Sequence, residues 1–228
     1  MPWPSDRTSR QKRAATAWLR AAYGVLLLAV AATACGGDED NGKQDVLSAE
    51  QVCDGTLRES AQQALRRVSG TDRFTELTGR DASGEPGAFS LELAAKHLHG
   101  KIGERLDCNV YRADDDSGHP QLEVEFEPRA DRPDMSKDDE HLPFALGVHA
   151  YVKGDGGAYL YFSCSTEGKQ GKASYVKASM FTVAGVDPAS TPKDRMTVLN
   201  DVARGLANEL GCADEAALPD QVPEPVHG

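Results

Sequence analysis

Five cysteines are the side chains best suited to chemistry in this 228-residue sequence: Cys35, Cys53, Cys108, Cys164 and Cys212. A cysteine thiolate can ligate a metal, attack a substrate or form a disulfide. The sequence contains no C-x-x-C pair, and no cysteine has a second cysteine at the spacing of a zinc site. We therefore predict no metal site at these cysteines.

Three further groups of residues match known sites only in part. His97 and His99 lie two apart in a predicted helix and point about 200° apart, although on a strand they would share a face. The segment 114–118 begins like a calcium loop but lacks the closing glutamate, so we interpret it as a polar turn. Ser174 and Lys177 match S-x-x-K, but the segment alternates like a strand, which sends them to opposite faces.

The larger catalytic motifs are absent from the sequence, including G-x-S-x-G, H-E-x-x-H, the P-loop and G-x-G-x-x-G. We therefore predict no catalytic residue, no metal ligand and no cofactor, and a protein that is not an enzyme. The alternative is an enzyme whose site is assembled from dispersed residues, which spacing does not reveal.

Residues 1–34 have the three-part composition of a secretory signal peptide. Basic residues are confined to 7–20, an apolar run of 14 residues fills 21–34, and small residues lead into Cys35. A membrane-spanning helix is the alternative, but it needs about 20 apolar residues. Arg20 limits the run on one side and Asp38 follows closely on the other, so we favour export and cleavage.

The residues Ala32-Thr33-Ala34-Cys35 resemble the lipobox of bacterial lipoproteins, in which small residues precede an obligatory cysteine. The match departs at Ala32, where leucine is commoner. The resemblance implies diacylglycerol on Cys35, cleavage after Ala34, fatty acylation such as palmitate, and attachment to the outer face of the cell membrane. The acidic, alanine-rich chain is also similar in style to uncharacterised secreted lipoproteins of actinobacteria, which implies no activity. An ordinary buried cysteine is the alternative interpretation of Cys35.

Net charge excludes some classes of partner. The whole chain carries -11 and residues 1–34 carry +4, which leaves -15 for the remainder. A chain this acidic lacks the basic clusters that phosphate contacts need, so we predict no nucleic-acid binding. An anionic lipid surface would also repel it, so attachment must come from the lipid on Cys35. Residues 35–47 are glycine-rich and charged, which predicts a flexible tether.

The four cysteines that remain after Cys35 form an even set in an exported chain. An oxidising compartment favours disulfides, so we predict two, from three possible pairings. We favour Cys53–Cys108 with Cys164–Cys212, because each bond then joins a helix end to a strand within one half of the chain.

Hydrophobic periodicity predicts an α+β domain over 48–212, followed by a disordered acidic tail at 213–228. Apolar residues at helical spacing predict three helices, at 55–68, 89–106 and 193–211. Alternating residues predict about five strands, at 108–113, 121–127, 145–152, 157–165 and 173–184. The strands run consecutively, which favours an antiparallel sheet with helices from the two ends of the domain packed on one face. The proline-rich segment 127–143 predicts a long loop.

Strand alternation also predicts a surface for a partner. Four tyrosines, Tyr151, Tyr159, Tyr161 and Tyr175, alternate with core residues and so point to the sheet face opposite the apolar stripe. Exposed tyrosines make adaptable contacts with partners. The alternatives are that they only stabilise neighbouring strands, or that a helix covers them. We predict a binding or cell-envelope interaction module whose partner is an unknown protein or envelope ligand.

Overall fold

The alternating segments form one antiparallel sheet. The computed structural model describes residues 45–76, 89–134, 141–154, 156–169, 171–182, 185 and 187–226. Within these residues the sheet has seven strands: β1 (Phe74–Glu76), β2 (Cys108–Arg112), β3 (Leu122–Arg129), β4 (His141–Phe144), β5 (His149–Lys153), β6 (Gly157–Gly168) and β7 (Gly171–Phe181). Their order across the sheet is β1-β2-β3-β7-β6-β5-β4, and every neighbouring pair is antiparallel.

The described helices are α1 (Val52–Gly55), α2 (Glu59–Ser69), α3 (Leu91–His97), α4 (Pro192–Glu209) and α5 (Ala213–Ala216). The longest, α4, begins at a capping box: the Thr191 side chain accepts from the Asp194 backbone, and the Asp194 side chain accepts from the Thr191 backbone. Pro192 is at the first helical position, where its missing N–H costs nothing.

The core lies between the sheet and α4. This helix contacts β5, β6 and β7, and α2 and α3 pack against α4 in turn. Met196, Leu199 and Leu206 of α4 are fully buried, as are Leu160 and Phe162 of β6. The α+β class with an antiparallel sheet is therefore confirmed.

Two arginines bind carboxylates of α4: Arg58, the N-cap residue of α2, and Arg67, within α2. Arg58 donates to the buried carboxylate of Asp201 through its guanidinium and, at 2.9 Å, through its backbone N–H. In the first turn of α4, Asp194 accepts from Arg67 Nη2 at 2.6 Å. Charge-assisted bonds of this kind satisfy carboxylates that would otherwise be costly to bury.

Two disulfides are present, Cys53–Cys108 and Cys164–Cys212, with Cα–Cα distances of 5.5 and 5.4 Å. The prediction of disulfide bonds is confirmed, in the pairing that the sequence analysis favoured. The first joins α1 to β2, and the second joins β6 to Cys212, the N-cap residue of α5. Each bond therefore fastens a helical segment to the sheet.

The strand count and the helix placement differ from the prediction. The two additional strands are β1 and β4, of three and four residues, which is too short for alternation to be recognised in a sequence. The second of them lies in the segment 127–143 that we predicted to be a loop. The helices also do not lie only at the two ends of the domain, because α3 follows β1.

The predicted helix at 89–106 is much shorter. It ends at His97, and Gly103 adopts φ +91°, which a side chain would disfavour. Ile102, within the predicted range, is 90% exposed. Glycine's low helix propensity at Gly100 and Gly103 accounts for the early end of the helix.

Both ends of the described chain protect an edge of the sheet. At one edge, Leu47 forms an antiparallel bridge with Phe74, so the domain begins inside the predicted tether. At the other, Pro225 bridges Phe144, and Val226 donates its N–H to the Pro143 carbonyl at 2.8 Å. Exposed edges invite pairing with other chains, and these bridges cover part of them.

The described part of the predicted disordered tail, residues 213–226, is packed onto the domain. It contains the turn α5 and the buried Ala216 and Val222. Arg58 Nη1 binds Asp220 Oδ1 at 2.6 Å. The prolines that suggested disorder instead set an extended path along the domain surface.

Candidate functional site

The four predicted tyrosines share one sheet face, which we call the outer face because α4 packs on the other. Tyr151 pairs with Tyr159, and Tyr175 pairs with Ser163. All four side chains, those of Tyr151, Tyr159, Tyr161 and Tyr175, are half-buried. Each therefore keeps part of its surface in contact with water.

An aromatic row crosses four strands on this face, made of His141, Tyr151, Tyr159 and Phe181. The His141 and Tyr151 rings stack with centroids 3.9 Å apart and planes 7° apart. Tyr151 stacks on Tyr159 at 4.8 Å, and Tyr159 meets Phe181 edge-on at 5.7 Å. Neighbouring strands lie about 4.8 Å apart, so rings that stand upright on adjacent strands meet at stacking distance.

The stacked geometry decides what the row offers to a partner. The faces of the His141, Tyr151 and Tyr159 rings contact each other, so the interior of the row has few open ring faces. A sugar ring that stacks on an aromatic needs an open ring face, which this row does not present in its interior.

Two neighbours extend the row along the sheet. His149 lies 4.9 Å from Tyr151 and 6.0 Å from Tyr161, measured between ring centroids. Lys177 Nζ lies 5.4 Å from the centroid of the Tyr159 ring, within the range of a cation–π contact. Tyr175 is placed on the same face, but it has no ring contact among the described residues.

Sequence reasoning missed the histidines and Phe181. His149 is two residues before Tyr151 on one strand, so alternation alone could have placed it on the outer face. His141 lies on β4, which was not recognised, and its place in the row depends on strand order. No signal in the sequence identifies that order.

A depression of about 580 Å³ opens beside Tyr151. Apolar side chains and two histidines line it: Pro143, Phe144, Leu146, Val148, His141 and His149. This size falls within the usual range of ligand pockets. The aromatic row therefore ends in a concave surface that could receive a side chain of a partner.

An acidic cluster of Asp107, Glu123 and Glu125 adjoins the row, because Glu123 pairs with Phe181. One ligand oxygen from each lies within 4.8 Å of the others. Burial raises the pKa of Asp107 to about 7, and the charges of Glu125 and Glu123 add to the rise. The adjoining pocket has a volume of about 140 Å³, below the size that organic ligands usually occupy.

Glu76 is a second carboxylate in an unusual setting. It accepts a hydrogen bond from the Cys53 backbone N–H beside the Cys53–Cys108 disulfide. Burial raises the pKa of Glu76 to about 7. The two sulfurs are bonded to each other, so the group of Cys53, Glu76 and Cys108 has no thiolate to offer a metal.

The other motifs singled out in the sequence form local contacts. His99 Nε2 lies 3.0 Å from Thr166 Oγ1, and His97 is the last residue of α3. Asp115 Oδ1 accepts from the Ser117 N–H at 2.9 Å, which is the geometry of a polar turn. Ser174 and Lys177 lie on β7, so they do not form the helical S-x-x-K arrangement.

Comparison with known proteins identified no relative: no family model, curated protein or solved structure matches the chain. The predicted signal peptide, Cys35 and most of the predicted tether lie outside the described residues. Among the described helices, none has the length and apolar character needed to cross a membrane. The fold and the outer face therefore define an α+β domain with an aromatic surface.

Proposed function

We propose that this protein is a lipid-anchored extracytoplasmic binding protein, attached through Cys35, which uses the aromatic row to bind a protein partner with a basic contact surface. The aromatic row is the observation that supports this proposal. Tyrosine and histidine side chains are half-buried, stacked and held at fixed spacing by four strands, so little side-chain entropy is lost when a partner binds.

The nature of the partner follows from charge. The chain beyond residue 34 carries -15, so basic surfaces are attracted and acidic ones repelled. Glu127 lies on the same face, with its Oε2 4.0 Å from Lys177 Nζ. A partner arginine or lysine can donate hydrogen bonds to tyrosine hydroxyl oxygens and to carboxylates together.

The anchor is tested by replacing Cys35 with Ser in the host. The variant should lose fatty-acid labelling and move from the membrane fraction to the soluble fraction. Retention of the unlabelled variant in the membrane would show that the apolar run 21–34 is the anchor, and would contradict a lipid anchor.

The binding surface is tested by crosslinking and affinity capture from host membranes, using the full-length lipidated protein. Tyr151→Ser and Tyr159→Ser should remove the same captured protein, while Tyr175→Ser, on the same face but outside the row, should retain it. Circular dichroism must show that all variants are folded. Capture of the same set of proteins by every variant would contradict a role for the row.

A further inference from the structure

The acidic cluster of Asp107, Glu123 and Glu125 has a geometry that suits one metal ion. Calcium binds oxygen ligands at about 2.3–2.6 Å, so two ligands on opposite sides of the ion lie about 5 Å apart at most. The three carboxylate oxygens lie within 4.8 Å of one another. A single ion can therefore contact all three without movement of the strands.

A buried hydroxyl at the same place supports a ligand independently. Ser179 pairs with Glu125 across β3 and β7, is only 3% exposed, and lines the 140 Å³ pocket together with Asp107 and Glu125. Among the described residues its hydroxyl makes no hydrogen bond. Because Ser179 lines the pocket and its hydroxyl is not engaged by a described side chain, this oxygen is available as a further ligand.

The side chains around the pocket carry a net negative charge that suits a divalent cation. Glu127 is paired with Lys177 at 4.0 Å and with Arg129 at 3.2 Å, so its charge is already compensated. Arg105 Nε donates to the Gly100 carbonyl at 3.2 Å. The three cluster carboxylates, when ionised, and Arg105 leave a net charge of -2.

We propose that Asp107, Glu123, Glu125 and Ser179 form a calcium site. All of the ligands are oxygens, which favours hard cations over zinc or copper. The cluster lies at the protein surface, where water can complete the irregular coordination of six to eight ligands that calcium accepts. Magnesium needs a smaller and strictly octahedral site. We expect a dissociation constant of about 10⁻⁴–10⁻³ M, the range of extracellular calcium modules.

The test is calorimetric titration of CaCl₂ into the full-length protein after treatment with a chelator. Wild type should bind one ion, and calcium should raise its melting temperature. Glu125→Gln should weaken binding at least tenfold and remove the thermal shift, and Ser179→Ala should weaken binding severalfold. Glu167→Gln is the matched control, because Glu167 is an exposed acid on β6 outside the cluster.

Three results would overturn the proposal. One is the absence of binding up to about 10 mM calcium, well above the expected dissociation constant. Another is equal weakening by Glu125→Gln and Glu167→Gln, which would indicate general charge screening. The third is tighter binding of magnesium than of calcium.

A control separates lost binding from lost folding. Glu125→Gln removes repulsion between carboxylates, so the melting temperature of this variant without metal should equal or exceed that of wild type.

Discussion

At the scale of single residues, the loop that leads into β5 depends on Gly147. Its φ is +58°, and a Cβ there would lie 2.5 Å from the Tyr161 carbonyl oxygen. Val148 donates its N–H to the same oxygen at 2.7 Å, so the backbone has little room to move. The glycine therefore fixes the wall of the depression beside the aromatic row.

We predict that Gly147→Ala lowers the free energy of unfolding by about 2–4 kcal/mol, from a disfavoured left-handed backbone and a steric clash together. Urea denaturation measures the change. Gly118→Ala is the control, because Gly118 has φ +72° with nothing within 4 Å of a Cβ. It should cost only about 1 kcal/mol. Equal losses in the two variants would show that the contact with Tyr161 is unimportant.

Glu76 gives a prediction about pH. Burial raises the pKa of Glu76 from the ordinary 4.5 to about 7, so the folded state binds a proton more tightly than the unfolded state. Its contribution to stability is therefore largest below about pH 4.5, falls as the pH rises through about 7, and is constant above.

Glu76→Gln keeps an oxygen that can accept from Cys53 but has no charge. The variant should be more stable than wild type at pH 8, and its unfolding free energy should depend less on pH between 5 and 8. Thermal melts across this range provide the measurement, with Glu167→Gln as a control for the loss of one exposed acid. An unchanged pH profile would mean that the Glu76 carboxylate is solvated in the folded protein.

At the scale of elements, the C-terminal segment is part of the fold. Val222 is 5% exposed and Val226 is 48% exposed, although both lie in one short segment. We predict that Val222→Asp destabilises the protein by several kcal/mol because it buries a carboxylate, and that it frees the β4 edge to self-associate. Val226→Asp should change stability by less than about 0.5 kcal/mol. The melting temperature measures the loss of stability, and size-exclusion chromatography measures self-association. Equal results for Val222→Asp and Val226→Asp would indicate that the segment is not packed.

The long strands and α4 could be predicted from the sequence because each carries a complete local signal. Leu122, Val124 and Phe126 alternate with three glutamates, and all three apolar residues are buried. The two shortest strands have no such signal. β1 pairs with residues 110–112, which are distant in sequence, and β4 has only four residues, although it pairs with the neighbouring β5. Stacking of His141 on Tyr151 and the proximity of Asp107 to Glu125 depend on the same pairing, so local patterns could not predict them.

At the scale of the whole molecule, the features of the chain fit together. The signal segment and Cys35 would place the protein outside the cell, where the two disulfides are stable. The charge of -15 beyond residue 34 repels anionic lipid, and it is the reason we propose a basic partner. Helices fill one sheet face, and the outer face presents the aromatic row next to the acidic cluster, because Phe181 of the row pairs with Glu123 of the cluster.

The central claim is that the aromatic row is the binding surface of a lipid-anchored protein. The most direct measurement is the dissociation constant of the purified captured partner for the full-length protein and its tyrosine variants, by surface plasmon resonance. We expect Tyr151→Ser and Tyr159→Ser to raise the dissociation constant at least tenfold, equivalent to about 1.4 kcal/mol, and Tyr175→Ser to change it less than threefold. Equal dissociation constants for wild type and the folded Tyr151 and Tyr159 variants would contradict the account.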